Sequence, residues 1–433
     1  MKSKFSVLSL LLLILVSSQN LSAIEPRERL VRLAVSEDPT ESSPAIEELR
    51  SYGPAGLQTL MTRYAAEISR HIVDPALRAD AEWQRITKAL DAVSGQKNSY
   101  MSGLYWYTDL NAAQTAARES GKPILSLRLL GKLTDELSCA NSRFFRTVLY
   151  SNAEVSSVLR DRFVLHWQTV RPVPIITIDF GDGRKLQRTI TGNSIHYVLD
   201  SNGQLLEALP GLYGPQAFLR GLGQAEAFFK SLDGKTDDQK TVLRSQYYRG
   251  QLDKINVAWY EDTTKIGGKP PEGFITQIGP DGKLQAIVIA QLAITKAYSE
   301  AVMLRAMIAT PEKLGAITDE AAWRKIAQFH ATDAVLDDRS IALMRRQNPT
   351  LSEKEFAAML EKFQELIALD TVRNQYLLHT KLYPWLLRDP SRTDLEKFNE
   401  KVYAELFLTP RSDPWLGLLT TDAYVGIDNG GIK

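Results

Sequence analysis

The seven residues Ile124–Leu130 constrain this chain more than any other stretch. They read Ile-Leu-Ser-Leu-Arg-Leu-Leu and follow the break Gly121-Lys122-Pro123. A short apolar run bounded by Gly and Pro is the pattern of a buried strand. Its surroundings predict the cover it needs. Ala112, Ala113, Ala116 and Ala117 form one side of a helix that ends near Gly121. A second helix is expected from Asn141 to Tyr150, and a third begins over Val155 to Arg160. Phe163-Val164-Leu165-His166-Trp167 reads as a second strand. Ile175 to Phe180, the turn Gly181-Asp182-Gly183 and Lys185 to Thr191 predict a hairpin. Ile195 to Leu199, Ser201-Asn202-Gly203 and Leu205 to Leu209 predict another. A helix over Phe218 to Phe229 closes the section. Strand, helix, strand, then antiparallel strands and a last helix give an α/β unit with a mixed sheet over residues 104–232.

The flanks carry a different period. In residues 24–100, Leu30, Leu33 and Ala34 recur at helical spacing, as do Ile46, Leu49, Leu57 and Leu60. Ser51-Tyr52-Gly53-Pro54 breaks them into a HEAT-like helix pair. One pair cannot make a solenoid, so a small N-terminal helical cap is expected. From 240 to 433 an all-α C-terminal domain is expected, with helices over Leu292 to Ile308, Glu320 to Phe329, Glu353 to Ile367 and Leu395 to Leu408. Asp389-Pro390 and Asp413-Pro414-Trp415 punctuate this region, and the tail Asp428-Asn429-Gly430-Gly431 is expected to fray. At 433 residues, two or three domains are natural.

Residues 1–23 have the pattern of a signal peptide. Lys2 and Lys4 precede the apolar run Phe5 to Val16, which is short for a bilayer span, and Leu21-Ser22-Ala23 offers a cleavage site. The chain is therefore expected to be exported, with the periplasm as its compartment and no stable membrane insertion after cleavage. A formal net charge of +1 gives no field favouring nucleic acid. Export makes the cysteine count informative, because a single cysteine, Cys139, cannot form an internal disulfide.

The middle section resembles the thioredoxin superfamily over about a third of the chain. The residues that carry the resemblance are Trp106, Ala113, Ala117 and Gly121-Lys122-Pro123-Ile124-Leu125, then Cys139-Ala140-Asn141-Ser142. Val155, Leu159 and Phe163-Val164-Leu165 follow, then Gly192-Asn193-Ser194-Ile195, Val198-Leu199-Asp200, Gly203, Gly211, Phe218 and Leu222. Three departures mark a degenerate member. Ser142 stands where the family's Cys-x-x-Cys motif has its second cysteine. Ser194 stands where a cis-proline is usual, and Leu137-Ser138 replaces the usual aromatic before the first cysteine. The hairpin over 175–191 also replaces a helix. Ordinary dithiol exchange thus lacks a resolving thiol.

The resemblance implies that Cys139 sits at a helix N-terminus, where amide groups and the helix dipole favour a thiolate. Ser142 is expected to donate a hydrogen bond to the sulfur, Ser194 to face it, and Arg143 and Arg146 to add positive charge. Two readings follow. In the first, Cys139 is a nucleophile that forms mixed disulfides with a protein or small thiol, with Ser142 and Ser194 beside it. In the second, the domain is a non-catalytic binding or scaffold module with a buried Cys139. The position of the sole cysteine favours the first reading. No cofactor or metal is expected. His166 and His196 are expected to be structural. His330, Asp333 and Asp337 share one face if the helix continues through them, but they lack a fourth ligand. Glu361 and Glu365 fit a solvated face, and Gly279-Pro280-Asp281-Gly282 fits a turn. Tyr383, Trp385, Tyr403, Phe407 and Trp415 are expected in the core.

Overall fold

The computed structural model describes residues 27–74, 77, 80–267, 320–389, 394–413 and 416. The leader, the helix expected over Leu292 to Ile308, the turn at 279–282, Trp415 and the tail lie outside the described residues.

A five-stranded mixed sheet organises the chain, in the order β1-β3-β2-β6-β7. Its strands are β1 (Trp106–Tyr107), β2 (Ile124–Leu130), β3 (Val164–Arg171), β6 (Ser194–Leu199) and β7 (Leu205–Pro210). β3 runs parallel to both β1 and β2, whereas β6 is antiparallel to β2 and to β7. All seven residues of β2 are buried, as its composition requires of a central strand. The hairpin β4 (Ile175–Asp179) and β5 (Lys185–Thr189) stands apart as a two-stranded sheet. Both hairpins occur where their turn residues predict them.

Helices cover both faces of the sheet. α7 (Leu110–Ser120) starts on the Asp109 carboxylate, which accepts from the Ala112 amide, and ends on Gly121 at φ +67°. The helix expected over Asn141 to Tyr150 begins as α8 (Ala140–Phe144) and widens into a π turn over Phe145–Leu149, where the Tyr150 amide reaches Phe145 O. α9 (Ala153–Arg162) is capped by Asn152, and α10 (Pro215–Ser231) closes the unit.

The N-terminal region comprises α1 (residues 27–34), α2 (Pro39–Ser51), α3 (Pro54–Arg63), α4 (Ala65–Val73), α5 (Ala81–Ser94) and the short α6 (Ser99–Ser102). Their inward residues, among them Leu49, Leu60, Ile86 and Leu90, form one apolar cluster. Beyond the sheet follow α11 (Asp237–Lys265), α12 (Glu320–Phe329), α13 (Asp338–Gln347), α14 (Glu353–Arg373), α15 (His379–Arg388) and α16 (Leu395–Lys401). The last continues into a π turn over Val402–Leu406. A second, larger cluster joins described residues from Leu104 through the sheet to Leu416, so the C-terminal helices share the core of the sheet. His379 Nε2 donates to Ala208 O at 2.8 Å, and Asn374 Nδ2 donates to Leu212 O at 2.7 Å. Leu343 of α13 joins the N-terminal cluster instead. The protein is thus a mixed α/β structure with a mixed sheet and a majority of helix.

Candidate functional site around Cys139

Cys139 follows β2 by one loop and caps α8. Its φ and ψ are −60° and 160°, and its sulfur accepts from the Ser142 amide at 3.4 Å. Sulfur here takes the place that a Ser or Asp oxygen fills in most caps. A hydrogen bond to the sulfur therefore comes from the Ser142 backbone. The Ser142 hydroxyl, expected to donate to it, is buried with no hydrogen-bond partner. Ser138 Oγ and Asn141 Oδ1 are buried in the same condition. Each such group left unpaired costs roughly 1–3 kcal/mol.

The site is closed from three directions. Cys139, Ser142 and Ser194 are all 0% exposed. Ser194 lies at the start of β6 beside Leu129, and its hydroxyl accepts from Asn141 Nδ2 at 2.6 Å. Just before it, Gly192 crosses the start of α8 so closely that a Cβ would lie 3.2 Å from the Ala140 and Asn141 nitrogens. From the far end of the chain, the Tyr403 hydroxyl donates to Asn193 O at 3.1 Å and lies within electrostatic reach of Cys139. Burial holds that phenol well above its usual pKa.

The two arginines brace the site. Arg146 is 4% exposed and donates to the carbonyls of Leu133 at 3.3 Å, Asp135 at 2.5 Å and Glu136 at 3.0 Å. It fastens the loop leading to Cys139, and burial pushes its pKa down to about 10. Arg143 Nη2 donates to Thr189 Oγ1 at 3.1 Å, and Thr189 donates on to Ser138 O at 3.2 Å, tying the end of β5 to the site.

His196 shares the helix-covered face of β6 with Ser194, two residues on. Its Nε2 lies 2.6 Å from Tyr150 Oη, and its ring is edge-on to Phe145 and Phe218. Complete burial lowers its pKa to about 3. His166 pairs with Ser126 Oγ at 2.9 Å, and burial lowers it to about 3 as well. Both are core residues, as expected.

Of the three metal candidates, His330 Nδ1 and Asp333 Oδ2 approach to 3.9 Å. α12 ends at Phe329, a 3₁₀ turn covers Ala331–Ala334, and Asp337 caps α13. His330, Asp333 and Asp337 therefore do not share a helical face, because the chain turns between them. Asp262 meets His330 Nε2 at 2.6 Å, Arg220 holds Asp333 through two 2.6 Å bonds, and Asp337 Oδ2 accepts from the Ala153 amide. Among the described residues no group of three metal-ligating side chains gathers, and no helix is long and apolar enough to cross a membrane. Glu361 and Glu365 are exposed, and Tyr383, Trp385, Tyr403 and Phe407 are buried.

Three features escaped the sequence reading. Arg128 is 1% exposed on β2 and donates to Glu396 Oε1 at 2.6 Å and to Gln168 Oε1. Glu207 is buried on β7. Each is a lone charge in an apolar strand, which is the signal that identifies it. The third is a groove of about 530 Å³ beside α8, lined by Arg143, Phe144, Thr147, Met344, Met359 and Phe363.

The sheet and the buried cap define a mixed α/β protein with a closed single-cysteine site. Compared with family models, with curated proteins and with solved structures, the chain gave no match.

Proposed function

We propose that this chain is an exported, degenerate thioredoxin-like binding module whose Cys-x-x-Ser site has become structural. The observation that carries the reading is the closure of Cys139, which is 0% exposed beneath Gly192, Asn193 and Tyr403. A nucleophile must reach its substrate, and a thiol behind packed backbone does not. The thioredoxin-like assignment is supported by the strand, helix, strand order followed by an antiparallel pair and a closing helix. Cys139 also falls at the helix start where the resemblance puts the nucleophile. Partner binding then belongs to the flanking helices, and the groove beside α8 supplies a methionine- and phenylalanine-lined surface next to the closed site.

The second reading, mixed-disulfide chemistry with a protein or small thiol, rests on the Ser142 amide at 3.4 Å from the sulfur. That contact favours a thiolate once the cover lifts. Alkylation of the mature protein separates the two. For the binding module, native Cys139 reacts at least ~100-fold more slowly than in urea, and Cys139→Ser leaves the fold and any partner capture intact. Labelling at the rate of the unfolded chain, with partners trapped as mixed disulfides, would refute the module.

A further inference from the structure

Glu207 occupies a strand in which every residue is buried, and it is itself 3% exposed. Its Oε2 accepts from Tyr247 Oη at 2.5 Å and Tyr383 Oη at 3.1 Å, while Oε1 accepts from the Ala208 amide at 2.9 Å. Among the described residues no cation pairs with it, and burial pushes its pKa up to about 7. A carboxyl held this way is expensive.

A cavity of about 230 Å³ opens against it. The deep end is polar and aromatic: Glu207, Tyr213, His379 and Tyr383 are each 3–5% exposed. Tyr213 Oη is buried there with no hydrogen-bond partner. His379 is neutral, its pKa lowered to about 4 by burial. The side wall is aliphatic, from Leu209, Ala217, Ile255 and Ala258. The outer end carries Arg220 and Lys254. Arg220 is committed to Asp333 through two 2.6 Å bonds, which leaves exposed Lys254, among the described lining residues, as the cation for an entering ligand. The volume lies below the roughly 300–1,000 Å³ of drug-sized sites, which restricts the ligand to a small one.

We propose that this cavity binds a small aliphatic α-amino acid as its zwitterion. The ammonium group donates to Glu207 and to the Tyr213 oxygen. The carboxylate meets Lys254 at the mouth, and the side chain lies along Leu209, Ile255 and Ala258. An amine without a carboxylate leaves the cationic mouth unmatched. A carboxylic acid without an amine leaves both the deep carboxyl and the Tyr213 hydroxyl unmatched, which is the costlier defect.

Calorimetric titration of the mature chain tests this with L-alanine, L-valine and L-leucine. The matched one-charge compounds are 3-methylbutylamine and 4-methylpentanoate. At least one amino acid is expected to bind with a dissociation constant of about 1 mM or tighter, and each one-charge compound at least tenfold more weakly than L-leucine. Glu207→Gln removes the deep carboxyl, and Ala258→Phe narrows the aliphatic wall from α11. Each is expected to weaken binding at least tenfold, and if Glu207→Gln fails to fold, Ala258→Phe and Lys254→Ala decide the matter. The proposal is overturned if none of the three amino acids binds. It is equally overturned if a one-charge compound binds as well as L-leucine, or if binding survives Ala258→Phe unchanged.

Discussion

Replacing His196 by Phe should change the acid sensitivity of the protein by an amount the structure allows to be worked out. The imidazole is completely buried among Phe145, Tyr150 and Phe218, and burial lowers its pKa from the usual 6.5 to about 3. A group whose folded pKa is depressed stays uncharged in the native state while the unfolded chain takes up a proton. Stability is therefore lost as pH falls below 6.5, and the loss continues until the folded pKa is reached. Between pH 6.5 and pH 4 that is two and a half pH units at about 1.4 kcal/mol each, or roughly 3 kcal/mol. His196→Phe removes this term and leaves Tyr150 Oη without its 2.6 Å partner, a cost of about 1–3 kcal/mol at every pH. The signature is therefore in the slope. Urea denaturation from pH 7 to pH 4 should show the variant less stable at neutral pH and losing roughly 3 kcal/mol less on acidification. Parallel profiles for the two proteins would mean that His196 takes up its proton inside the fold, and the burial argument would fail.

Glu207 should act in the opposite direction. Its carboxyl, raised to about 7 by burial, makes stability fall as pH rises from about 4.5 to 7, and Glu207→Gln should flatten that segment by roughly 3 kcal/mol; an unchanged profile in the same titration refutes it. The buried arginine offers a paired test. Arg128→Met removes the buried charge and leaves the largely exposed Glu396 to water, so it should shift stability by no more than about 1 kcal/mol. Glu396→Ala strands the guanidinium and should cost about 1–3 kcal/mol, and chemical denaturation that reverses this ranking counts against the burial of Arg128. Glycines sort by space. Gly56→Ala would set a Cβ 1.8 Å from Leu49 O where α2 and α3 meet, and should lower Tm sharply. Gly250→Ala on α11 meets nothing within 4 Å and should stabilise by roughly 0.5–1 kcal/mol, and a destabilised Gly250→Ala would contradict the open space around it.

What the sequence determined by itself is the local structure of the described regions. Ile124–Leu130 had to be a buried strand, because it has no polar face to turn to water. The Gly181-Asp182-Gly183 and Ser201-Asn202-Gly203 turns set two hairpins, and Asp109 and Gly121 set the limits of α7. Periodicity reports that a face must be covered, and turn chemistry reports where the chain reverses. Neither reports which distant segment supplies the cover. That is why the burial of Cys139 is not legible in the sequence: nothing within twenty residues of it shows that Tyr403 arrives over Asn193, 210 residues before it in the chain. The same gap hid Glu396 from Arg128 and Tyr383 from Glu207. It also led to reading His330 and Asp337 on one helix, since the turn between them is set by Arg220 gripping Asp333 and by Asp337 capping both α13 and the Ala153 amide. Burial depends on contacts across the whole chain, so the tertiary structure alone decided which of the chemically capable side chains meet solvent and which are enclosed.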